Sequence, residues 1–541
     1  MQLFLRVFAC LLLVVLLLSA SQGTAQLEIE AWESVVPGID YRYFELEGPN
    51  KAYVARMDRS NPNVTLDSSI AGGALARGSE TVSAQFRRHD QALNNWALQP
   101  GAHEPGNRSR VVVAINGSYV MPNMAPQSGQ VQSGWYAKRF DNVAGGSGFA
   151  WKLDRSAFIG GCVTHNTEKQ IIAYPNGNKQ FFSGINIPRA DNLLILYTPQ
   201  FDTHTPGGSG STVDVLVEVS RPVMIMPSPA SSKGIVVDIR DGQGSTPIPF
   251  DHVVLSASGS ARDLLLQNVQ VGDEIGISQE IISYENGCSG NNYYSWTKTY
   301  ASISGEYYYL KDGQIVNHTN AGATARHPRT AIAYNDAYIY YIVIDGRRTD
   351  FSIGMTIQEL GEFTRDYLGA TYGIAEDGGG SSTMVINGVV KNRPTDPCFR
   401  IYLPSIANQS GPDTIPLSLP PDYVGSFEMP IAGVCERKVG NAMLMVTVEQ
   451  PEFSTNLVPG ESVSTRGPAQ LRLGPGMNYA VIAALSRGTR LSIVKHANNL
   501  DGVLAKGHYW WKVNLQGLQG WIAEAAVERT ASVSELWMFL R

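Results

Sequence analysis

The sequence predicts an α+β protein that is β-rich throughout, with a mixed larger domain built around one βαβ unit and a small all-β barrel after it. Three observations predict this. Charged residues make up 17% of the 541 residues, below the roughly 25% of ordinary soluble chains, while 54 Gly, 29 Pro and 24 Tyr suit strands and turns. Short β-branched runs at 111–115, 193–197, 213–219 and 339–344 alternate with turn clusters. Convincing amphipathic stretches are few, one around 90–98 and a clearer one after residue 356. Apolar residues reach 43%, enough for a sizeable core and against global disorder. The net charge of −6 argues against nucleic acid, which calls for a basic face.

Residues 1–25 read as a secretory signal. Arg6 precedes an apolar run of about 12 residues, short of the roughly 20 that span a bilayer, and Gly23-Thr24-Ala25 suits cleavage. The mature chain is therefore expected to be secreted, extracellular or in the cell envelope, without membrane contact once the signal is gone. Cys10 leaves with the signal. Cys162, Cys288, Cys398 and Cys435 remain, an even count that fits two disulfides in an oxidising compartment with three possible connectivities. Proximity favours Cys398 with Cys435, leaving Cys162 with Cys288.

The clearest unit covers 339–392. A strand ends at Ile344 and runs into Asp345-Gly346-Arg347-Arg348. Thr356 and Glu359 then form a capping box at a helix start, with Ile357, Leu360, Thr364, Tyr367 and Leu368 as one stripe and Gly369 as the stop. A second strand leads into Asp377-Gly378-Gly379-Gly380-Ser381-Ser382, and Asn387-Gly388 suits a type I′ hairpin. If the two strands are parallel, Asp345 and Asp377 meet at one sheet edge, where α/β ligand sites tend to sit. Prolines at 416, 420 and 421 mark a linker. The expected division is 1–25 signal, 26–405 catalytic domain, 406–458 linker or extension, 459–530 small barrel and 531–541 tail.

Three groups of residues can carry chemistry. Gly378, Gly379 and Gly380 let the backbone approach a ligand and turn N–H groups inward, Ser381 and Ser382 add hydroxyls, and Arg347 adds a bidentate fork. His327-Pro328-Arg329, stiffened by its proline, presents a proton donor and an anion clamp. Asn116, after the strand at 111–115, can hold a sugar hydroxyl. Glu359 is better explained by capping. Asp238 and Asp241 lack calcium-loop spacing, and no HExxH, P-loop or GxSxG occurs, so no metal or cofactor is assigned.

Together these motifs resemble the phosphodiester glycosidase family. The matching stretches are Asn116-Gly117-Ser118-Tyr119, Gln127-Ser128-Gly129, Ile185-Asn186-Ile187-Pro188-Arg189, Leu196-Tyr197-Thr198-Pro199, His327-Pro328-Arg329-Thr330, Asp345-Gly346-Arg347, Met355 to Leu360, and Asp377 to Val385. They span roughly 40–405 in family order. Two departures stand out: Tyr119 in place of a common Phe, and Ala375-Glu376 in place of Asn-Leu, a change that bears on which sugar is bound. The C-terminal stretch, with Leu471 to Tyr479, Tyr509-Trp510-Trp511-Lys512-Val513 and Gly520-Trp521-Ile522, is similar to bacterial SH3-like domains, which often bind wall peptides. Trp511 and Trp521 read as core residues there, whereas Tyr479 reads as one that can stand exposed.

The resemblance implies hydrolysis of the glycosidic C–O bond of a sugar-1-phosphodiester, N-acetylglucosamine-type, or of a related envelope polysaccharide. Asp345 and Asp377 would supply nucleophile or base, with His327 and Asn116 positioning the sugar. Arg329, Arg347 and the stretch 378–382 would bind phosphate. The implied partners are a phosphorylated glycan or wall polysaccharide and, through the SH3-like module, peptidoglycan. A phosphodiesterase that cuts P–O, or a non-catalytic wall-binding protein, are the alternatives.

Overall fold

The computed structural model describes residues 31–92, 108–140, 147–165, 170–219, 221–226, 232–284, 296–395, 435–448, 457–477, 479–496, 501–505 and 508–530. The expected signal, the tail and most of the expected linker lie outside these. So do Cys288 and Cys398, and only the backbone is described at Cys162, so the expected disulfide pairing falls outside them too.

Strands dominate and helices are few. The elements that frame the site are, in chain order, β1 (Asn50–Asp58), β2 (Arg108–Asn116), β3 (Tyr307–Lys311), β4 (Arg329–Tyr334), β5 (Tyr338–Ile344), α1 (Ile357–Asp366), β6 (Tyr372–Ala375), β7 (Met384–Ile386) and β8 (Asn441–Val448). One eight-stranded sheet carries the neighbours β1, β5, β4, β6 and β3 in that order. β4 runs antiparallel to β5, with Ile344 opposite Arg329, and antiparallel to β6, with Ala375 opposite Ala331. β5 and β6 therefore point the same way with β4 between them, and α1 carries the chain from one to the other. The strand–helix–strand unit is split by an antiparallel strand. Its geometry still brings the segments after β5 and β6 to the edge where β4 begins.

α1 starts at a capping box: the Thr356 hydroxyl accepts from the Glu359 N–H, and the Glu359 carboxylate accepts from the Thr356 N–H. It buries Ile357, Leu360 and Phe363 against Ala331, Ile342 and Ile344. Phe363 takes the place expected of Tyr367, which is exposed. The helix expected around 90–98 spans Val82–Ala92, and 93–98 lie outside the described residues.

A five-stranded sheet packs behind, ordered Val389–Val390, β7, β2, β8 and Val64–Ile70. Val112, Ile115, Ile332, Tyr341, Ile374, Met384 and Met443 form the core between the two sheets. The turn between β7 and Val389–Val390 has positive φ at both Asn387 (49°) and Gly388 (81°), as a type I′ hairpin requires. β8 corrects the sequence reading. It falls inside 406–458, expected as linker, yet it is a wholly paired strand between β2 and Val64–Ile70. The segment reads as linker because its prolines and serines precede the strand, whose partners are remote in sequence.

A second eight-stranded sheet, with Thr212–Val219 and His252–Ser258 as neighbours, receives the C-terminal barrel. Trp511 sits in the barrel's own core, whereas Trp510 and Trp521 belong to the core of the larger domain. The Trp521 and Phe250 rings meet edge to face at 5.0 Å, and Tyr479, half-buried, lies 5.8 Å from Phe250. Beside them a buried ionic cluster crosses the junction. His496 Nε2 lies 2.5 Å from Asp251 Oδ2 and 2.9 Å from Glu218 Oε1, Lys512 Nζ lies 3.2 Å from Glu218, and His252 Nδ1 lies 2.7 Å from Asp251 Oδ1. Burial pulls the His496 imidazolium down, but its bonds to Asp251 and Glu218 outweigh that and push it up to about 9.

Candidate functional site

Four chain segments converge at the edge where β4 begins. The end of β2 and the segment after it bring Asn116 and Tyr119, the approach to β4 brings His327, the segment after β5 brings Asp345 and Arg347, and the segment after β6 brings Asp377. The Asp377 N–H donates to the Gly117 carbonyl at 3.0 Å, and the Gly379 N–H donates to the Pro328 carbonyl at 2.9 Å. These bonds tie the glycine segment to two neighbours.

Asp377 is the carboxyl of the group that its surroundings bring into the near-neutral range. Burial pushes it up to about 6, against the Ser381 hydroxyl and the Arg437 charge, which draw it down. A nearby second carboxylate, Glu306, adds to the upward push. Glu306 is exposed, follows the strand Thr299–Gly305, and accepts a hydrogen bond from Tyr119. The Tyr119 hydroxyl is shifted upward, first by burial and then by the Glu306 charge. Asp377, Glu306 and Tyr119 thus share one electrostatic neighbourhood.

Arg347 is exposed and held in the left-handed region, φ 60°, a strained conformation of the kind that clusters at ligand sites. Its guanidinium lies over Gly379: a Cβ built there, where φ is 66°, meets Arg347 Nη2 at 2.9 Å. A Cβ on Gly378 meets the Pro328 carbonyl oxygen at 2.7 Å. The glycines are needed for this close approach. His327 lies beside Arg347, Nδ1 to Nη2 3.5 Å, and is shifted downward by burial and by the Arg329 and Arg347 charges, so it is neutral at pH 7.

Other residues expected at the site serve as scaffold. Asn116 is fully buried, and its carboxamide is engaged within the protein. Nδ2 donates to the Asp377 carbonyl at 2.7 Å, while Oδ1 accepts from the Thr330 hydroxyl at 2.7 Å and the Thr383 N–H at 3.1 Å. It positions the glycine segment and does not face a sugar. Arg329 is 5% exposed and donates to the carbonyls of Met355, Gly322 and Ala325, so its fork is used on backbone.

Asp345 is 2% exposed and accepts from Tyr53, from Asn392 Nδ2 at 3.0 Å and from the Arg393 N–H at 3.0 Å. Burial raises it, and those bonds lower it in turn. Asn392 donates onward to the Ser382 carbonyl, so Asp345 braces the glycine segment from behind. The anion cradle is also tighter than expected. The N–H groups of Gly379, Ser381 and Ser382 donate within the protein, and Gly380, Ser381 and Ser382 are buried.

The sequence does not single out Glu306 or Arg437, and Tyr119 stands out in it only as part of a motif. Glu306 carried one usable signal, a carboxylate immediately after a strand. Arg437 sat in the supposed linker. Glu376, expected to bear on sugar choice, is fully buried with both oxygens unpartnered, near the core Tyr341.

Residues 231–404 match the family model described as phosphodiester glycosidase, and residues 467–528 match the bacterial SH3 domain. No curated protein matches. Among solved structures, a hypothetical protein from Synechocystis is similar at 15% identity and TM-score 0.47, over 76% of this chain and 62% of that one. This chain thus spans under two thirds of that protein's length. A putative exported protein from Burkholderia pseudomallei aligns at 18% identity and TM-score 0.43, over 74% of each. The catalytic domain of zebrafish N-acetylglucosamine-1-phosphodiester alpha-N-acetylglucosaminidase, auto-inhibited by its pro-peptide, aligns at 12% and 0.31, over 76% of this chain and 82% of that one. The chain thus has one stretch that matches the phosphodiester glycosidase model and, after it, one that matches the bacterial SH3 domain.

Proposed function

We propose that the protein is a secreted glycosidase-type hydrolase that cleaves the glycosidic C–O bond of a sugar-1-phosphodiester, N-acetylglucosamine-type, in a cell-envelope glycan. The observation that carries this reading is Asp377, a largely buried carboxyl at about 6 beside a second carboxylate, with Arg347 at the same edge. A phosphomonoester leaves readily as an anion. The site therefore needs to hold phosphate and stabilise oxocarbenium-like charge more than it needs a strong acid.

Arg347 and Arg437 hold the phosphate by charge-assisted hydrogen bonds. Ionised Asp377 attacks the anomeric carbon or draws a proton from the attacking water. Glu306, oriented by Tyr119, faces the positive charge that develops on the sugar. Neutral His327 holds a sugar hydroxyl. The SH3 domain keeps the enzyme at the envelope through its outer surface, where Val481 and Leu518 are exposed, because its Trp510, Trp521 and Tyr479 side is occupied by the larger domain.

Hydrolysis of small N-acetylglucosamine-1-phosphodiesters in oxygen-18 water tests the reading. Label in the released sugar supports it, and label in the phosphate indicates P–O cleavage. Persistent wall binding with no hydrolysis in either the native chain or Asp377→Asn indicates a binding protein.

A further inference from the structure

We propose that a ridge of cations stacked on aromatic rings beside the site binds a second phosphate, so that the substrate is an oligomer or polymer repeating sugar and phosphate. The inference rests on the hydrolysis proposed above and names its substrate class. Two cations lie over the ring of Phe351, Arg393 Cζ at 4.2 Å and Lys51 Nζ at 4.9 Å from its centroid. Lys391 Nζ stands 5.5 Å from the centroid of Tyr41. Arg393 and Lys391 are exposed. Lys51 is partly buried and shared with the Tyr43 hydroxyl (2.7 Å) and the Glu45 carboxylate (2.8 Å); Glu45 and the exposed Asp350 supply the ridge's negative charge.

This ridge is fastened to the site. The Ser352 hydroxyl donates to the Asp345 carbonyl at 2.6 Å and accepts from the Lys51 N–H at 3.1 Å, and the Arg393 N–H donates to the Asp345 carboxylate. Arg347, over Gly379, is four residues from Phe351, a span of at most about 14 Å when extended. The Phe351 N–H closes a turn onto the Arg348 carbonyl, which shortens it. A saccharide-phosphate repeat bridges such a distance. An arginine stacked on a ring keeps its planar fork available for bidentate phosphate contact. The cations stand out in a chain of net charge −6 with few charged residues.

The test uses the full chain carrying Asp377→Asn to stop turnover. Calorimetry measures binding of methyl N-acetylglucosamine-1-phosphate and of a short oligomer of the same sugar phosphate. The oligomer is expected to bind about tenfold more tightly, with the gain abolished by Arg393→Gln, by Phe351→Ala and by high salt, while the methyl diester is unaffected by either substitution. Three results overturn the inference: equal binding of the two probes, unchanged oligomer binding in both variants, or equally tight binding of single-stranded DNA of matched charge. Turnover by the native chain is read separately. If neither probe is hydrolysed while the oligomer preference stands, the hydrolytic reading fails and the ridge does not.

Discussion

Glu376 and Asp377 are adjacent carboxyls that burial affects to different degrees. Glu376 is fully buried and unpartnered, so it stays protonated in the folded chain well above its ordinary 4.5. The unfolded chain releases that proton near its ordinary value. Above it the folded state binds more protons than the unfolded one, and stability falls as pH rises. Glu376→Gln is expected to narrow the drop in Tm between pH 5 and pH 8, as followed by calorimetry, and Glu376→Leu to raise Tm at pH 8 by a few degrees. Asp377 reaches solvent and titrates at about 6, so kcat/KM is expected to climb with pH through about 6 and then level off. Asp377→Asn should lower it roughly 10²–10⁴-fold at pH 7.5 and remove that limb. Asp345 and Asp377 look alike in sequence, each an Asp-Gly after an apolar strand. The residues that separate them, Tyr53 and Asn392, lie far off in the chain, and so Asp345 reads as a twin of Asp377 although its carboxylate is taken up within the protein.

At the scale of elements, local rules carried the parts that interact locally. The capping box at Thr356 and Glu359 and the Asn387-Gly388 hairpin depend on neighbours within three residues, and both are present. The sheet neighbours depend on remote contacts. β4 precedes β5 in sequence but sits between β5 and β6, an arrangement that no periodicity reveals. β8 was hidden for the same reason: Asn441 reaches Ser118 across 323 residues, and Arg437 was lost along with it. The glycine segment yields an element-level prediction. Gly379→Ala places a methyl group against Arg347 at a positive φ, so KM for a small phosphodiester is expected to rise about tenfold while Tm drops by only a few degrees. An unchanged KM would place phosphate away from Arg347.

For the molecule as a whole, the junction between the larger domain and the barrel is buried and holds groups of both signs. Breaking a buried ion pair from one side costs about 3–5 kcal/mol, so His496→Ala is expected to loosen the barrel and expose Trp510 and Trp521 to fluorescence quenchers. His496 is raised above its ordinary 6.5, so its contribution is fully present below that value and is lost as pH rises through about 9. Quencher access should rise over that interval in the native chain and stay level in His496→Ala.

β8 also sets the order in which the chain can be completed. Until residue 448 has been made and delivered, β2 and Val64–Ile70 lack the strand that joins them, and both present unpaired edges. A protein synthesised from its N-terminus therefore holds its larger domain open, in need of protection against sticky partners, until most of its length has emerged. A fragment ending at residue 405 should be insoluble for want of one strand, and adding a peptide of residues 435–448 in trans should recover part of it.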